Sequence, residues 1–299
     1  MRSVIASIAF FFLLECSYIT ALRVPTPLVI WHGMGDTCCN PLSMGRIIKM
    51  VENQISGIYV HSLQIGSTFS EDTLNGFLMP VPEQIELACS KVQNDPHLQN
   101  GFNVMGFSQG AQFLRALIQQ CDGITVHNLI SIGGQHQGVY GFPNCMGDDI
   151  EMCDYVRRLL NMGAYFPPIQ NRLVQAQYWH DPIHEDKYFS DCIFLPVINN
   201  DNVRNSTYVR RLRSLSKFVM VKFNNDTMVQ PIESEWFGFY APGKDNNILT
   251  LQETELYKND QLGLKKMDEA GKLVFLATNG EHLQFSDDWF IENIVPYLQ

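Results

Sequence analysis

The chain has 299 residues, 45% of them hydrophobic and 17% charged, with a formal net charge of -10. That length and apolar share suit one α/β domain carrying an insertion, or two small domains. The negative balance, with no polybasic run, excludes nucleic acid as a partner and leaves no basic patch for a membrane surface.

In chain order, residues 1–21 read as a signal peptide. Arg2 supplies the positive start, and residues 4–14 form an apolar stretch too short to span a bilayer comfortably. Cleavage between Ser17 and Leu22 leaves 22–299 as a secretory-pathway domain with no transmembrane anchor. Strand and helix signals then alternate, which predicts an α/β fold with a mostly parallel central sheet and helices on both faces. Leu28-Val29-Ile30-Trp31 predicts a strand, 42–54 a helix, 57–65 a strand, and 81–93 a helix that ends before Asp95-Pro96. Strand 102–107, helix 109–121 and strand 126–132 follow.

Over residues 134–216 the alternation lapses, and 155–162, 170–178 and 203–215 look helical. A mainly helical insertion there is expected to cap the site. Its apolar residues, Tyr165, Phe166, Trp179 and Phe194 among them, either line that site or bury the insertion's own core. Strand signals return at 218–223 and 273–277, separated by a loop at 234–262. Trp236-Phe237-Gly238-Phe239-Tyr240 in that loop either lines an acyl channel or anchors the loop. An amphipathic segment covers 285–298.

Gly106-Phe107-Ser108-Gln109-Gly110 falls where strand gives way to helix. G-x-S-x-G in that context is a nucleophile elbow: a sharp turn lifts the serine hydroxyl to a helix N-terminus, and small residues let helix and strand approach. Such a nucleophile is followed along the chain by an acid and then a histidine. Of eight histidines only His282 lies late, after a strand and the turn Thr278-Asn279-Gly280-Glu281. Asp226 follows the preceding strand and is the chosen acid. Asp245 lacks a preceding strand, and Asp287 and Asp288 look like first-turn helix carboxylates. Two donors must hold a developing oxyanion. The expected pair is the Gln109 N–H and, from the loop His32-Gly33-Met34-Gly35-Asp36, the Met34 N–H, with His32 structural.

Cys16 belongs to the leader, so seven cysteines remain and at least one is unpaired or intermolecular. Cys145 and Cys153 bracket a short polar loop and read as a local bridge. Cys89 and Cys121 lie toward the ends of two helical segments that could flank one sheet. Adjacent Cys38 and Cys39 would need Cα atoms closer than an ordinary disulfide prefers. No paired metal-ligand framework appears, so no metal or cofactor is expected. Asn205-Ser206-Thr207 and Asn225-Asp226-Thr227 are glycosylation sequons. The second requires Asn225 to face solvent while Asp226 turns inward.

Several stretches, taken together, are far more specific than the elbow. They include Trp31-His32-Gly33-Met34-Gly35-Asp36 with Cys38-Cys39-Asn40-Pro41, Met105 to Gly110, Gly133 to Gly138, Tyr178-Trp179-His180-Asp181-Pro182, Glu233 to Tyr240 and His282-Leu283-Gln284. Through them essentially the whole mature chain resembles the palmitoyl-protein thioesterase family of the α/β-hydrolase superfamily. The resemblance implies a Ser108–Asp226–His282 triad that removes fatty acyl groups, chiefly palmitate, from S-acylated cysteines of proteins and peptides during lysosomal degradation. It implies disulfides Cys38–Cys39, Cys89–Cys121 and Cys145–Cys153, with Cys192 unpaired. It also implies glycans at Asn205 and Asn225 whose phosphorylated mannose would engage the mannose 6-phosphate receptor. One departure concerns glycan number: family members carry a further sequon in the insertion, where Asn200-Asp201-Asn202 cannot serve. The competing readings are a lipase or general esterase acting on oxygen esters, and a non-catalytic acyl-binding module.

Overall fold

A computed structural model describes residues 24–141 and 150–299. The expected signal peptide and Cys145 lie outside the described residues. Eight strands are present among them: β1 (Leu28–Trp31), β2 (Val60–Ser62), β3 (Phe102–Phe107), β4 (Val126–Ile132), β5 (Lys217–Phe223), β6 (Phe239–Tyr240), β7 (Ile248–Leu249) and β8 (Leu273–Thr278). Six of them form one parallel sheet in the order β2-β1-β3-β4-β5-β8, while β6 and β7 pair antiparallel as a separate ribbon. Register aligns Trp31, Gly106, Ser131, Met220 and Phe275 across the sheet. The loops after β1, β3, β5 and β8 therefore gather at one edge, the carboxyl edge where open α/β sheets bind ligands.

Before β4 the helices are α1 (Met44–Gln54), α2 (Phe69–Leu78), α3 (Val81–Asn94) and α4 (Gln109–Gln120). Between β4 and β5 lie α5 (Ile150–Gly163), α6 (Pro167–Gln170), α7 (Glu185–Asp191), α8 (Leu195–Ile198) and α9 (Ser206–Ser214). Then come α10 (Glu255–Lys258), α11 (Leu264–Glu269) and α12 (Asp287–Asn293). Among the described residues no helix is long and apolar enough to cross a membrane.

Both sheet faces are covered, which is why β1 reads as a continuous apolar run, and β3 and β4 as mostly apolar runs instead of alternating ones. Leu28, Ile30, Met105, Ile130 and Val219 pack against α1 and the C-terminal segment around Phe290 and Leu298. Val29, Trp31, Val104, Leu129 and Phe218 face the other way, toward α3, α4 and the insertion.

Three expectations need correction. The strand expected over 57–65 is paired only at Val60–Ser62, and α2 was not foreseen. Thr68 caps α2 by accepting the Glu71 N–H at 3.1 Å, a Thr-x-x-Glu start that the apolar pattern does not advertise. Residues 170–178 are not one helix. Gln170 donates to the carbonyls of Ala164 and Ala176, at 2.9 and 2.7 Å, and so folds the segment back into α6 and a separate turn at Val174–Tyr178. The stretch 234–262 is not a plain loop, because it holds β6, β7 and α10.

α4 carries the nucleophile's end of the sheet and is buried along nearly its whole length, polar residues included. Gln109, Gln112, Arg115 and Gln119 are each 1% exposed or less. Their spacing places them along one stripe of the helix. Arg115 donates to the carbonyls of His136 and Ile198, at 3.1 and 3.2 Å, and to Asn199 Oδ1 at 2.8 Å. Its guanidinium also lies 5.1 Å from the Phe237 ring centroid. Gln119 adds a 2.6 Å bond to Ile198 O. The insertion is thus fastened to α4 by buried hydrogen bonds. Replacing Arg115 by Met keeps apolar bulk but strips these buried acceptors of their donor. Arg115→Met should lower unfolding free energy by about 3 kcal/mol or more, read as a reduced denaturation midpoint.

Candidate active site

Only Ser108 separates β3 from α4, and this one-residue connection holds it at φ 53 and ψ -125. L residues rarely adopt such a conformation, and it persists only where the surroundings over-determine it. The Ser108 N–H donates to Ile132 O at 2.8 Å, tying the turn to the end of β4. A Cβ at Gly106 would lie 2.4 Å from the Ala111 backbone, and one at Gly110 would lie 2.3 Å from His32 O. Glycine at both positions is a steric requirement.

The loop after β1 runs beside this turn and is organised by a buried pair. His32 Nδ1 donates to Gly33 O at 2.8 Å, and His32 Nε2 faces Asp72 Oδ1 at 3.2 Å. Asp72 also accepts from the N–H groups of Cys38 (2.8 Å) and Ile65 (2.6 Å) and from the Thr37 hydroxyl (2.9 Å). Burial opposes charge on both side chains, but their mutual pairing outweighs it. His32 is raised above the ordinary histidine value and Asp72 is held below the ordinary aspartate value. The Cys38–Cys39 disulfide lies in the same loop.

Gln109, as the first residue of α4, has no carbonyl within its own helix for its N–H. Its side chain is fully committed: Nε2 donates to Gly76 O at 2.9 Å, while Oε1 accepts from Tyr178 Oη at 3.1 Å and Gln175 Nε2 at 3.3 Å.

Asp226 follows β5, and His282 follows β8 on the neighbouring strand. Asp226 Oδ1 accepts the N–H groups of Met228 and Val229 at 2.6 and 2.9 Å, and Oδ2 accepts from His282 Nδ1. Burial works against ionisation of Asp226. Hydrogen bonds from His282 and Glu235 more than offset it, and the carboxyl lies below its ordinary value. Glu235 is fully buried behind this pair, with Oε1 3.9 Å from His282 Nδ1. Burial first, and then Asp226, push it well above its ordinary value.

Ser108 and His282 line one cavity of about 230 Å³, together with Met34, Asp36, Arg46 and Met228. A second cleft of about 40 Å³ opens on the other side of Ser108, walled by Val139, Val156, Leu160, Tyr178 and again by Met34 and Met228. No hydrogen bond joins the Ser108 hydroxyl to His282 among the described residues. In hydrolases without substrate this contact is commonly long and tightens on binding. Among the described residues one group has donor atoms spaced to hold a metal ion, Asp226, Glu235 and His282, within 4.8 Å of one another.

Of the remaining sequence candidates, Asn205 and Asn225 are exposed and Asp226 is buried. Asn205 caps α9 by accepting from Thr207 N at 2.9 Å. Cys89 is bonded to Cys121, and Cys192 is free and buried. The Cys145–Cys153 bridge involves Cys145, which is outside the described residues. Sequence reasoning overlooked Asp72 and Glu235 as parts of the site. Asp72 reads as one more first-turn carboxylate of a helix, and its distant partner leaves no local trace. The detectable signal for Glu235 is an acid directly before an aromatic run.

A strained serine at a strand-to-helix elbow, on a cavity shared with a carboxylate-held imidazole, is the arrangement a serine hydrolase uses, and the fold is that of the α/β-hydrolases. The mature form of a Bacillus licheniformis lipase shares that fold, with a TM-score of 0.51 at 10% identity over 93% of each chain. The family model for palmitoyl protein thioesterase matches residues 27–282. Palmitoyl-protein thioesterase 1 of Caenorhabditis elegans is 54% identical over 269 residues, 90% of each chain. A Drosophila melanogaster protein described as a lysosomal thioesterase homolog is 27% identical over 96% of each chain. The chain belongs to the palmitoyl-protein thioesterase family and is a thioesterase hydrolase.

The His32–Asp72 pair makes a pH-dependent prediction. His32, raised on folding, stabilises below its ordinary value and loses that contribution as pH rises through its folded value. Asp72, lowered on folding, stabilises above its ordinary value and loses that contribution as pH falls through its folded value. Both contributions are present between the unperturbed values of 3.8 and 6.5. Asp72→Asn should cost about 3 kcal/mol in that window, since it breaks a buried pair. Denaturant unfolding of both proteins across pH checks this, and a difference independent of pH would contradict the pairing.

Proposed function

We propose that this protein hydrolyses the thioester linking a long fatty acyl group, chiefly palmitate, to cysteine in proteins and peptides, within the lysosome. The observation that carries the reading is the elbow serine on one cavity with an imidazole whose Nδ1–H is held by buried Asp226. His282 Nε2 takes the Ser108 proton as Oγ attacks the thioester carbonyl, and the N–H groups of Gln109 and Met34 receive the negative charge on oxygen. The intermediate collapses, the C–S bond breaks, and the proton on His282 passes to the departing sulfur. Water then attacks the acyl-serine while His282 takes its proton, which returns to Ser108 as the acid leaves. Cysteine thiols ionise near pH 8.5 or so, so sulfur leaves more readily than an alkoxide, and this chemistry needs no metal.

The two cavities suit the two halves of such a substrate. The apolar cleft beside α5 suits the acyl chain, and the wider mouth with Asp36 and Arg46 suits the peptide bearing the thiol. A palmitoyl chain exceeds the roughly 40 Å³ present. Seating it therefore requires the cleft to widen. Residence in the lysosome is supported by the description of the Drosophila relative and by two exposed sequon asparagines, Asn205 and Asn225. Phosphorylated mannose on those glycans would engage the mannose 6-phosphate receptor. Asp226, held below the ordinary carboxylate value, remains ionised under its histidine in an acidic compartment.

Ser108→Ala should reduce turnover of a palmitoyl-cysteine peptide by about 10⁴-fold or more while leaving the fold intact. The same assay with palmitoyl-CoA and a matched oxygen ester separates the substrate classes. Thioesters should be cleaved at least about tenfold faster, and equal rates would favour a general esterase. A third arm tests the cleft: Val156→Trp should lower kcat/KM for palmitoyl substrates by about tenfold and leave acetyl thioesters within about threefold.

A further inference from the structure

The carboxyl pair behind His282 has a property that the triad alone does not require. Glu235 Oε2 accepts the Phe223 N–H at 2.8 Å, but Oε1 is buried and meets no N–H or O–H donor. The polar groups around it are few. His282 Nδ1 lies 3.9 Å away and already donates to Asp226. Lys222 from β5 attracts Glu235, but its ammonium is directed over the Trp236 ring, 4.3 Å from the centroid. That leaves Asp226, a neighbouring carboxylate with no proton of its own to offer. An ionised Glu235 would place two buried negative charges within 4.8 Å of each other and leave one oxygen unsatisfied. A protonated Glu235 resolves both problems, because Oε1 becomes the donor and Asp226 the acceptor.

We propose that Glu235 is a positioning residue that acts as a neutral carboxylic acid, its buried O–H donating to Asp226. This rests on the triad reading above. Asp226 then carries the one negative charge of the pair and shares it among two main-chain N–H groups, His282 and Glu235. A second full charge 3.9 Å from His282 Nδ1 would favour the imidazolium and disable the base in acid. A proton on Glu235 removes that charge and leaves Asp226 as the one carboxylate acting on the imidazole. Glu235 touches neither substrate nor reacting atoms; it acts through Asp226.

The test compares wild type, Glu235→Gln and Glu235→Leu for palmitoyl-cysteine peptide hydrolysis across pH, with circular dichroism confirming the fold of each. Gln keeps an N–H donor and no charge, so its acid limb should coincide with that of wild type and its kcat should fall by no more than about threefold. Leu removes the donor, so its acid limb should move up by about half a pH unit or more, with the rate loss largest in acid. A Gln acid limb lying about one pH unit lower than wild type would mean that Glu235 is charged, and would overturn the proposal. Equal losses at all pH values in both variants would also overturn it, because they would reduce Glu235 to packing. Infrared difference spectra at pH 7 supply a readout independent of activity. Wild type minus Glu235→Gln should show the carbonyl band of a protonated carboxyl, and carboxylate bands alone would reject it. Labelling of Ser108 by a serine-directed phosphonate, abolished in His282→Ala, keeps failure of the triad distinct from failure of this proposal.

Discussion

The contact that organises the site is backbone on backbone. α4 begins so close to the end of β1 that the Gly110 Cα hydrogen points at the carbonyls of Trp31 and His32, where a Cβ would come within 2.4 and 2.3 Å. No longer connection between β3 and α4 could bring the helix in so near, so the turn collapses to Ser108 alone, at positive φ. The strain at one residue is offset by burial of nearly all of α4. The same closeness brings the loop containing Met34 to the nucleophile. The loop after β1 and the elbow, from segments far apart in sequence, meet because their backbones touch.

Two buried charge clusters then fix the loops that the sheet only delivers, and they follow opposite logic. His32 and Asp72 are groups of opposite charge type, and Asp72 also accepts from two main-chain N–H groups and the Thr37 hydroxyl, so each favours the charged form of the other. Asp226 and Glu235 carry like groups, so ionising one opposes ionising the other, and the carboxyl with more donors keeps the charge. The first arrangement immobilises backbone beside the substrate carbonyl. The second orients an imidazole through its Nδ1.

Much of this was legible in the sequence, and the reasons for what was not are physical. β1, β3, β4, β5 and β8 were plain because each is dominated by apolar residues: Leu28–Trp31 is wholly apolar, and the others carry only a few polar positions, such as Asn103 in β3 and Lys222 in β5. The elbow, Asp226 and His282 were chosen because chain order and strand ends constrain where a triad can be assembled, and Ser108 and His282 line one cavity with Asp226 paired to His282. β2 was overextended, since only Val60–Ser62 finds a partner and pairing is not a local property. The turn at 170–178 was misread because the amide of Gln170 bonds back to Ala164 and Ala176, a choice made in three dimensions. The polar stripe of α4 would pass for a solvent-facing side in any pattern analysis. It is buried because the insertion's carbonyls supply the acceptors that water otherwise would.

That stripe changes what the insertion is for. An insertion that only walled an acyl chain could be loosely attached, since a lipid cleft needs apolar surface more than exact placement. Instead its residues Gln175 and Tyr178 both bond the side chain of Gln109, whose own main-chain N–H adjoins the nucleophile. Gln175 and Tyr178 also line the apolar cleft. Under the proposed mechanism, a chain entering that cleft presses on the groups that hold Gln109, and through them on the donor proposed to meet the developing oxyanion. Acyl recognition and transition-state stabilisation therefore share a wall. Occupancy of the cleft by a well-fitting chain should affect kcat as well as KM, because binding energy gained far from the thioester is transmitted to the donor beside it.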